Sequence, residues 1–397
     1  MPTISKKGTL MPESPIRKLV PYAEKAKEKG VKVFHLNIGQ PDIETPSAAI
    51  EAIKNTNIKV LAYSKSEGNI ELRSKICNYY KKFNVSISES QIIVTSGASE
   101  ALLFTIGSIM DPGDEIIIPE PFYANYNGFS VANGVNIVPI FSSIDNNFAL
   151  PKIEEFENLI STKTKAILIC NPNNPTGYVY SKKEIKSLIE IVKKYNLFLI
   201  ADEVYREFTY DNATHTSIMD FEEINQNSIV IDSVSKRYSM CGARIGCIIS
   251  KNKQFIDTAM KFAQARLSPP TLAQIASTAA MDTGRDYFNS IINEYNKRRI
   301  TLIKGLKEIN GVTVSEPKGA FYCVVELPVK NSENFAKWML EEYSLNNETI
   351  MIAPAGGFYS TPNTGTNQVR IAYVLKESDL KSCINILKHG LTEYLKK

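Results

Sequence analysis

Residues 166–205 read AILICNPNNPTGYVYSKKEIKSLIEIVKKYNLFLIADEVY, and the punctuation of this stretch decides the fold. Ala166–Cys170 is a short apolar run closed by the turn formers Asn171, Pro172, Asn173, Asn174, Pro175 and Gly177, which predicts a strand and the loop that leaves it. Ser181 and Glu184 have capping-box spacing, and Ile185, Leu188, Ile189 and Val192 then recur on one face of a helix. Leu197–Ala201 is a second apolar run, ended by Asp202. A strand, a one-faced helix and another strand form a unit whose two strands run parallel in one sheet.

The same rhythm continues on both sides. Gln91–Thr95 and Glu115–Pro119 precede the unit, Ser228–Asp232 follows it, and segments of helical period lie between. The expectation is an α/β core, a mainly parallel sheet covered on both faces. From Arg285 a long amphipathic helix marked by Tyr287, Phe288, Ile291, Ile292 and Tyr295 leads to strands near Gly319–Glu326 and Gln368–Val374. A chain of 397 residues exceeds what one compact core usually holds. The division expected is an N-terminal arm and part of a small domain at 1–40, a large domain at 41–284, and a smaller α/β domain at 285–397. The arm, rich in Pro and Lys, is expected to pack on the smaller domain or on a partner subunit.

Composition removes several classes of function. Lys and Arg total 46 against 42 for Asp and Glu, and the basic residues are dispersed, so no nucleic-acid footprint is present. No apolar stretch approaches the ~20 residues of a membrane helix, and Met1–Ser14 lacks the apolar core of a secretory leader. A soluble, cytoplasmic protein is the expectation. The six cysteines contain no CxxC pair and read as free thiols. Three distant histidines, His35, His215 and His389, offer neither zinc-ligand spacing nor a basis for a Ser-His-Asp triad, so no metal site is expected.

Three polar clusters sit where strands end. Asn171–Gly177 follows Ala166–Cys170, Asp202-Glu-Val-Tyr205 follows Leu197–Ala201, and Asp232-Ser-Val-Ser-Lys236-Arg-Tyr-Ser-Met-Cys-Gly242-Ala-Arg244-Ile-Gly246 contains the end of Ser228–Asp232. Open α/β sheets bind ligands at the carboxyl ends of their strands. Taken singly, the first cluster would be a turn-rich loop, Asp202 a helix cap and Lys236 a solvated lysine. Together they put an amine, a carboxylate and a guanidinium at one sheet edge.

As a set, these clusters resemble the class I/II aminotransferases of the fold-type-I pyridoxal-phosphate (PLP) enzymes, nearest the aspartate aminotransferase-like group. The resemblance runs from Leu36-Asn-Ile-Gly39-Gln-Pro-Asp42 through Tyr63 and Gly97-Ala-Ser99-Glu-Ala-Leu to Val369-Arg370-Ile371. It implies the three-layer PLP-transferase fold and a homodimer with shared active sites. It also implies transfer of an amino group from an L-amino acid, aspartate by the group resembled, to a 2-oxo acid such as 2-oxoglutarate. On the matching positions, Lys236 would carry PLP as a Schiff base and shuttle protons. Asp202 would pair with the pyridine nitrogen, and Tyr205 and Asn174 would serve the phenolic oxygen. Gly97, Ala98, Ser99, Ser233 and Arg244 would cradle the phosphate, with Tyr63 reaching the partner's phosphate. Tyr123 would stack on the ring, where many relatives carry Trp. Arg370 would clamp the α-carboxylate beside Gly39 and Asn174.

No arginine aligns cleanly with the one from the partner subunit that some dicarboxylate-specific relatives use for the distal carboxylate. Arg266 is the first choice here, with Lys65 and Arg237 as others. A PLP-dependent C–S lyase, or an aminotransferase preferring alanine or aromatic donors, would share most of these residues. A PLP-binding transcription regulator would need a helix-turn-helix domain for which the chain has no room. A nicotinamide dehydrogenase would need a GxGxxG after an early strand, which is absent.

Overall fold

A computed structural model describes residues 2–397. Its largest sheet has seven strands, in spatial order Ile92–Thr95, Gly246–Ile249, Ser228–Ser233, Phe198–Asp202, Thr164–Cys170, Glu115–Glu120 and Asn136–Phe141. All neighbours pair in parallel except Gly246–Ile249, which is antiparallel to both of its partners. The central strands are apolar on both faces. Ala166, Leu168, Ile200, Ile229 and Ile231 enter one hydrophobic cluster, and Ile167, Ile169, Leu199, Ala201 and Val230 enter the other. The three-layer α/β architecture follows from that double burial.

The helix Lys182–Tyr195 shows how local sequence serves this arrangement. Ser181 Oγ accepts from the Glu184 amide, the Glu184 carboxylate accepts from the Ser181 amide at 2.7 Å, and Asn196 closes the far end in the left-handed region at φ 52°. Ile185, Leu188, Ile189 and Val192 are fully buried against the sheet.

Two strands of the large sheet escape the sequence pattern. Asn136–Phe141 lies at an edge, where Pro139 costs no ladder bond in the interior, and its half-exposed residues lack a continuous apolar run. Gly246–Ile249 is only four residues long and follows directly on an irregular loop. The expected strand at Gly319–Glu326 starts instead at Tyr322. Ala320 has φ 53°, so the chain turns there before it can extend.

Towards the C-terminus the chain builds a four-stranded antiparallel sheet in the order Ala353–Pro354, Gln368–Ala372, Tyr322–Glu326 and Thr313–Val314. Lys32–His35 pairs in parallel with Glu348–Met351, and the helix Val20–Glu28 packs against the helix Ser332–Glu341. The long helix Arg285–Lys307 ties the parts together through two buried arginines. Arg298 bonds Asp42 at 2.7 Å and the Val374 carbonyl, and Arg299 bonds Asp211 at 2.7 Å and the Pro317 carbonyl at 2.9 Å. Among the described residues no helix is long and apolar enough to cross a membrane.

Candidate active site

Strand register brings the polar clusters together. Cys170 lies opposite Asp202 in the ladder, and Asp202 lies opposite Ile231, so the loops that follow these three strands open side by side. They border a cavity of about 680 Å³ lined by Gly39, Ala98, Ser99, Tyr123, Asn174, Asp202, Tyr205, Ser233, Lys236, Arg244, Tyr322 and Arg370, among others.

Lys236 sits in the short helix Val234–Arg237. Its Nζ donates to the Gly39 carbonyl at 2.7 Å and lies 3.6 Å from Cys241 Sγ. Asp202 is 4% exposed; Tyr126 Oη donates to its Oδ2 at 2.8 Å, and the Val204 amide bonds Oδ1 at 3.4 Å. Burial pushes the Asp202 carboxyl up to about 6, and the Tyr126 hydrogen bond pulls in the other direction. A cation in the cavity would therefore find a carboxylate short of a charged partner.

Arg370, 1% exposed, lies in the strand Gln368–Ala372. It donates to Asn174 Oδ1 at 3.0 Å and to the Asn37 carbonyl, while its Nε has no hydrogen-bond partner. Tyr205 Oη meets Tyr322 Oη at 2.9 Å and accepts from Asn174 Nδ2 at 3.5 Å. Tyr123, whose hydroxyl accepts from Asn125 Nδ2 at 2.8 Å, is pushed up to about 12 by burial.

At the opposite side, Gly97 opens the helix Gly97–Ile109 with φ 79°, and a Cβ there would lie 2.3 Å from Arg244 Nη2. Only glycine lets that guanidinium lie against the helix N-terminus, where backbone N–H groups are unpaired along the axis. Ser233 Oγ accepts from the Ser235 amide at 3.1 Å and donates to the Ile245 carbonyl at 2.7 Å, fixing the start of the lysine helix. Gly39 is equally constrained, since a Cβ would fall 1.7 Å from Tyr322 Oη.

The sequence profile of the family described as Aminotransferase class I and II matches residues 31–387. An aspartate aminotransferase of Pyrococcus horikoshii is 31% identical over 394 residues, covering 98% of this chain and 97% of its own. The chain belongs to the class I and II aminotransferases. The fold agrees with that of a Thermus thermophilus aspartate aminotransferase mutant at TM-score 0.90 and 26% identity, over 98% of this chain and 100% of the other. It agrees equally with an alanine aminotransferase of Pyrococcus furiosus, at TM-score 0.90 and 29% identity over the same shares. This aminotransferase is accordingly a PLP-dependent enzyme. The cavity suits that cofactor: a helix N-terminus beside Arg244 for a phosphate dianion, a buried carboxylate for a protonated ring nitrogen, and the Lys236 amine on the same lining.

Gly97, Tyr63, Lys65, Arg237 and Arg266, all named from sequence, do not line the cavity, although Gly97 adjoins Ala98, which does. Tyr63 is 80% exposed and does not line it. Arg266, expected to receive a distal carboxylate, is engaged by its own chain: its guanidinium bonds Glu100 at 3.0 Å, the Ser66 carbonyl at 3.0 Å and the Val94 carbonyl at 3.3 Å, and it does not line this chain's cavity. With Nε on the Ala263 carbonyl at 3.5 Å, four of the five guanidinium N–H groups are taken up within the chain. Arg237 is likewise committed, bidentate to Asp232 at 2.7 and 2.8 Å, and Lys65 is exposed and off the cavity.

Other residues were not singled out from sequence. Tyr126, three residues beyond Tyr123, carries the hydrogen bond to Asp202, and Tyr322 holds Tyr205 and lies 4.5 Å beneath the Arg370 guanidinium. The three-residue spacing from Tyr123 to Tyr126, one helical turn, was the available signal for the first. For Tyr322, in an ordinary strand pattern, there was none.

The burial of Asp202 generates a linkage prediction. Its folded pKa lies above the ordinary carboxylate value, so its contribution to the stability of the cofactor-free enzyme is full below about 4 and is lost as pH rises through about 6. Asp202→Asn should remove that part of the pH dependence, worth at most on the order of 3 kcal/mol, while the part from Glu203, raised to about 7, persists. Thermal midpoints of cofactor-free wild type and variant from pH 4 to 7 check this, and parallel profiles would contradict it.

Proposed function

We propose that this enzyme transfers the amino group of L-aspartate to 2-oxoglutarate, with Lys236 as the lysine that holds PLP covalently, as a Schiff base. The observation that carries the reading is the buried Arg370: its Nε is unpartnered, and it borders the same cavity as the Lys236 amine and the Asp202 carboxylate. A planar, pre-oriented guanidinium suits the α-carboxylate of an amino acid, and a buried donor without a partner costs free energy until one arrives. The names of the Pyrococcus horikoshii and Thermus thermophilus relatives support aspartate as donor.

PLP, when bound, supplies the electron sink that lets the bond from the substrate α-carbon to hydrogen break. Asp202, oriented by the Tyr126 hydrogen bond, would hold the proton on the ring nitrogen that makes this sink effective. Gly97, Ala98, Ser99, Ser233 and Arg244 would hold the phosphate, and Tyr123 would pack against the ring. Tyr205 and Asn174 would donate to the phenolic oxygen. Arg370 orients the substrate so that its α-hydrogen faces Lys236 Nζ, which takes the proton as general base and returns it as general acid. The Gly39 carbonyl, already 2.7 Å from Nζ, keeps the released amine within the cavity.

A homodimer with shared sites completes the reading. Val60, Leu61 and Tyr63 are 75%, 61% and 80% exposed in one stretch of chain, an apolar surface that a second subunit would cover. Tyr63 would then reach the partner's phosphate site.

Two experiments test these assignments. A panel of amino donors with 2-oxoglutarate as acceptor should show aspartate ahead of alanine and the aromatic amino acids in kcat/KM; a preference for alanine, as the Pyrococcus furiosus neighbour's name suggests, would overturn the donor assignment. For the shared site, Lys236→Ala and Tyr63→Phe homodimers, each strongly impaired, should regain activity when mixed under subunit exchange, because one site of the heterodimer is free of both changes. Confirmed exchange without recovery would contradict the placement of Tyr63.

A further inference from the structure

One cation at the cavity has no task in the chemistry above. Arg17 lines the cavity next to Ser14 and Ile16 and is exposed. Among the described residues its guanidinium makes no hydrogen bond and no ion pair, whereas its neighbour Lys18 is engaged with Glu333. A free guanidinium on a long side chain at a cavity wall is a binding group without an occupant.

The turn that carries Arg17 is fixed to the α-carboxylate end of the site. Asn37 Nδ2 donates to the Ile16 carbonyl at 2.7 Å, and the Asn37 carbonyl accepts from Arg370. A single residue, Asn37, thus joins the backbone next to Arg17 to the guanidinium of Arg370. Pro15 is wedged against Gly357, where a Cβ would lie 2.7 Å from Pro15 Cγ, and the Arg17 amide closes the turn on the Ser14 carbonyl at 3.0 Å. The backbone of Arg17 therefore keeps a set offset from Arg370, while its side chain stays free to reach into the cavity.

The other basic groups are committed. Arg266 is bound to Glu100, Arg237 to Asp232, and Arg244 stands against the Gly97 helix. We infer that Arg17 is the specificity-determining residue for a second carboxylate, so that four- and five-carbon dicarboxylates are gripped at one end by Arg370 and at the other by Arg17. This inference rests on the reading of Arg370 as the α-carboxylate site.

Exposure decides the form of the selectivity. A buried arginine without a partner would penalise a monocarboxylate, but Arg17 stays hydrated when alanine is bound and loses little. Dicarboxylates are favoured by an added charge-assisted contact, and small monocarboxylates are tolerated rather than rejected.

The test uses the PLP-loaded enzyme and two unreactive acids, succinate and propionate, titrated by the change in absorbance of the bound cofactor. Arg17→Ala should weaken succinate by about tenfold or more, the size of one hydrogen bond to a charged group, and leave propionate within about twofold. Arg17→Lys should recover part of the succinate affinity, and kcat/KM for aspartate should fall with that for alanine unchanged. Equal weakening of both acids, or of neither, overturns the role of Arg17. Arg370→Ala separates the two claims: if it leaves both acids bound as in wild type, the α-carboxylate reading is what fails.

Discussion

Asp202 ends a central strand almost out of contact with water, and among the described residues only neutral groups, Tyr126 Oη and the Val204 amide, hydrogen-bond its carboxylate. A buried carboxylate without a cation is an unstable arrangement, which is why its proton affinity rises. Much of the site can be understood as the surroundings this carboxylate requires. The parallel register sets the Asn174 loop on one side and the Lys236 helix on the other, and in the proposed reading the cofactor's protonated ring nitrogen would supply the missing charge.

Arg370 presents the same logic with the opposite sign. Its burial in a strand leaves Nε unpartnered between Tyr322 and Phe358, whose rings lie 4.5 and 4.9 Å from the guanidinium. Both charges are supported by groups that cannot neutralise them, so each favours a ligand of complementary charge. Gly39 stands between them: its carbonyl holds Lys236, and its missing side chain makes room for Tyr322, which in turn holds Tyr205.

The central layers of the fold were legible because strands buried on both faces read as unbroken apolar runs, and Ser181 with Glu184 marks a helix start without ambiguity. The edge strand with Pro139 and the short antiparallel Gly246–Ile249 were not, because neither has a run long enough to register. In the site, Lys236, Asp202 and Asn174 were legible as neighbours because each follows a recognisable strand, Arg370 was found through the resemblance to the family, and all four line the cavity. The engagement of Arg266 is something sequence does not carry: Glu100 and two carbonyls, distant along the chain, converge on its guanidinium. Arg17 was missed for the converse reason, because a segment resembling a loose arm is folded back over the cavity and held there by Asn37.

The proposed chemistry depends most directly on which lysine holds the cofactor. Borohydride reduction of the PLP-loaded enzyme, followed by proteolysis and mass spectrometry, measures it without reference to any substrate. The pyridoxyl group should be found on the peptide containing Lys236, at that residue alone. Its appearance on another lysine, or no covalent incorporation into a fully loaded enzyme, would contradict the account.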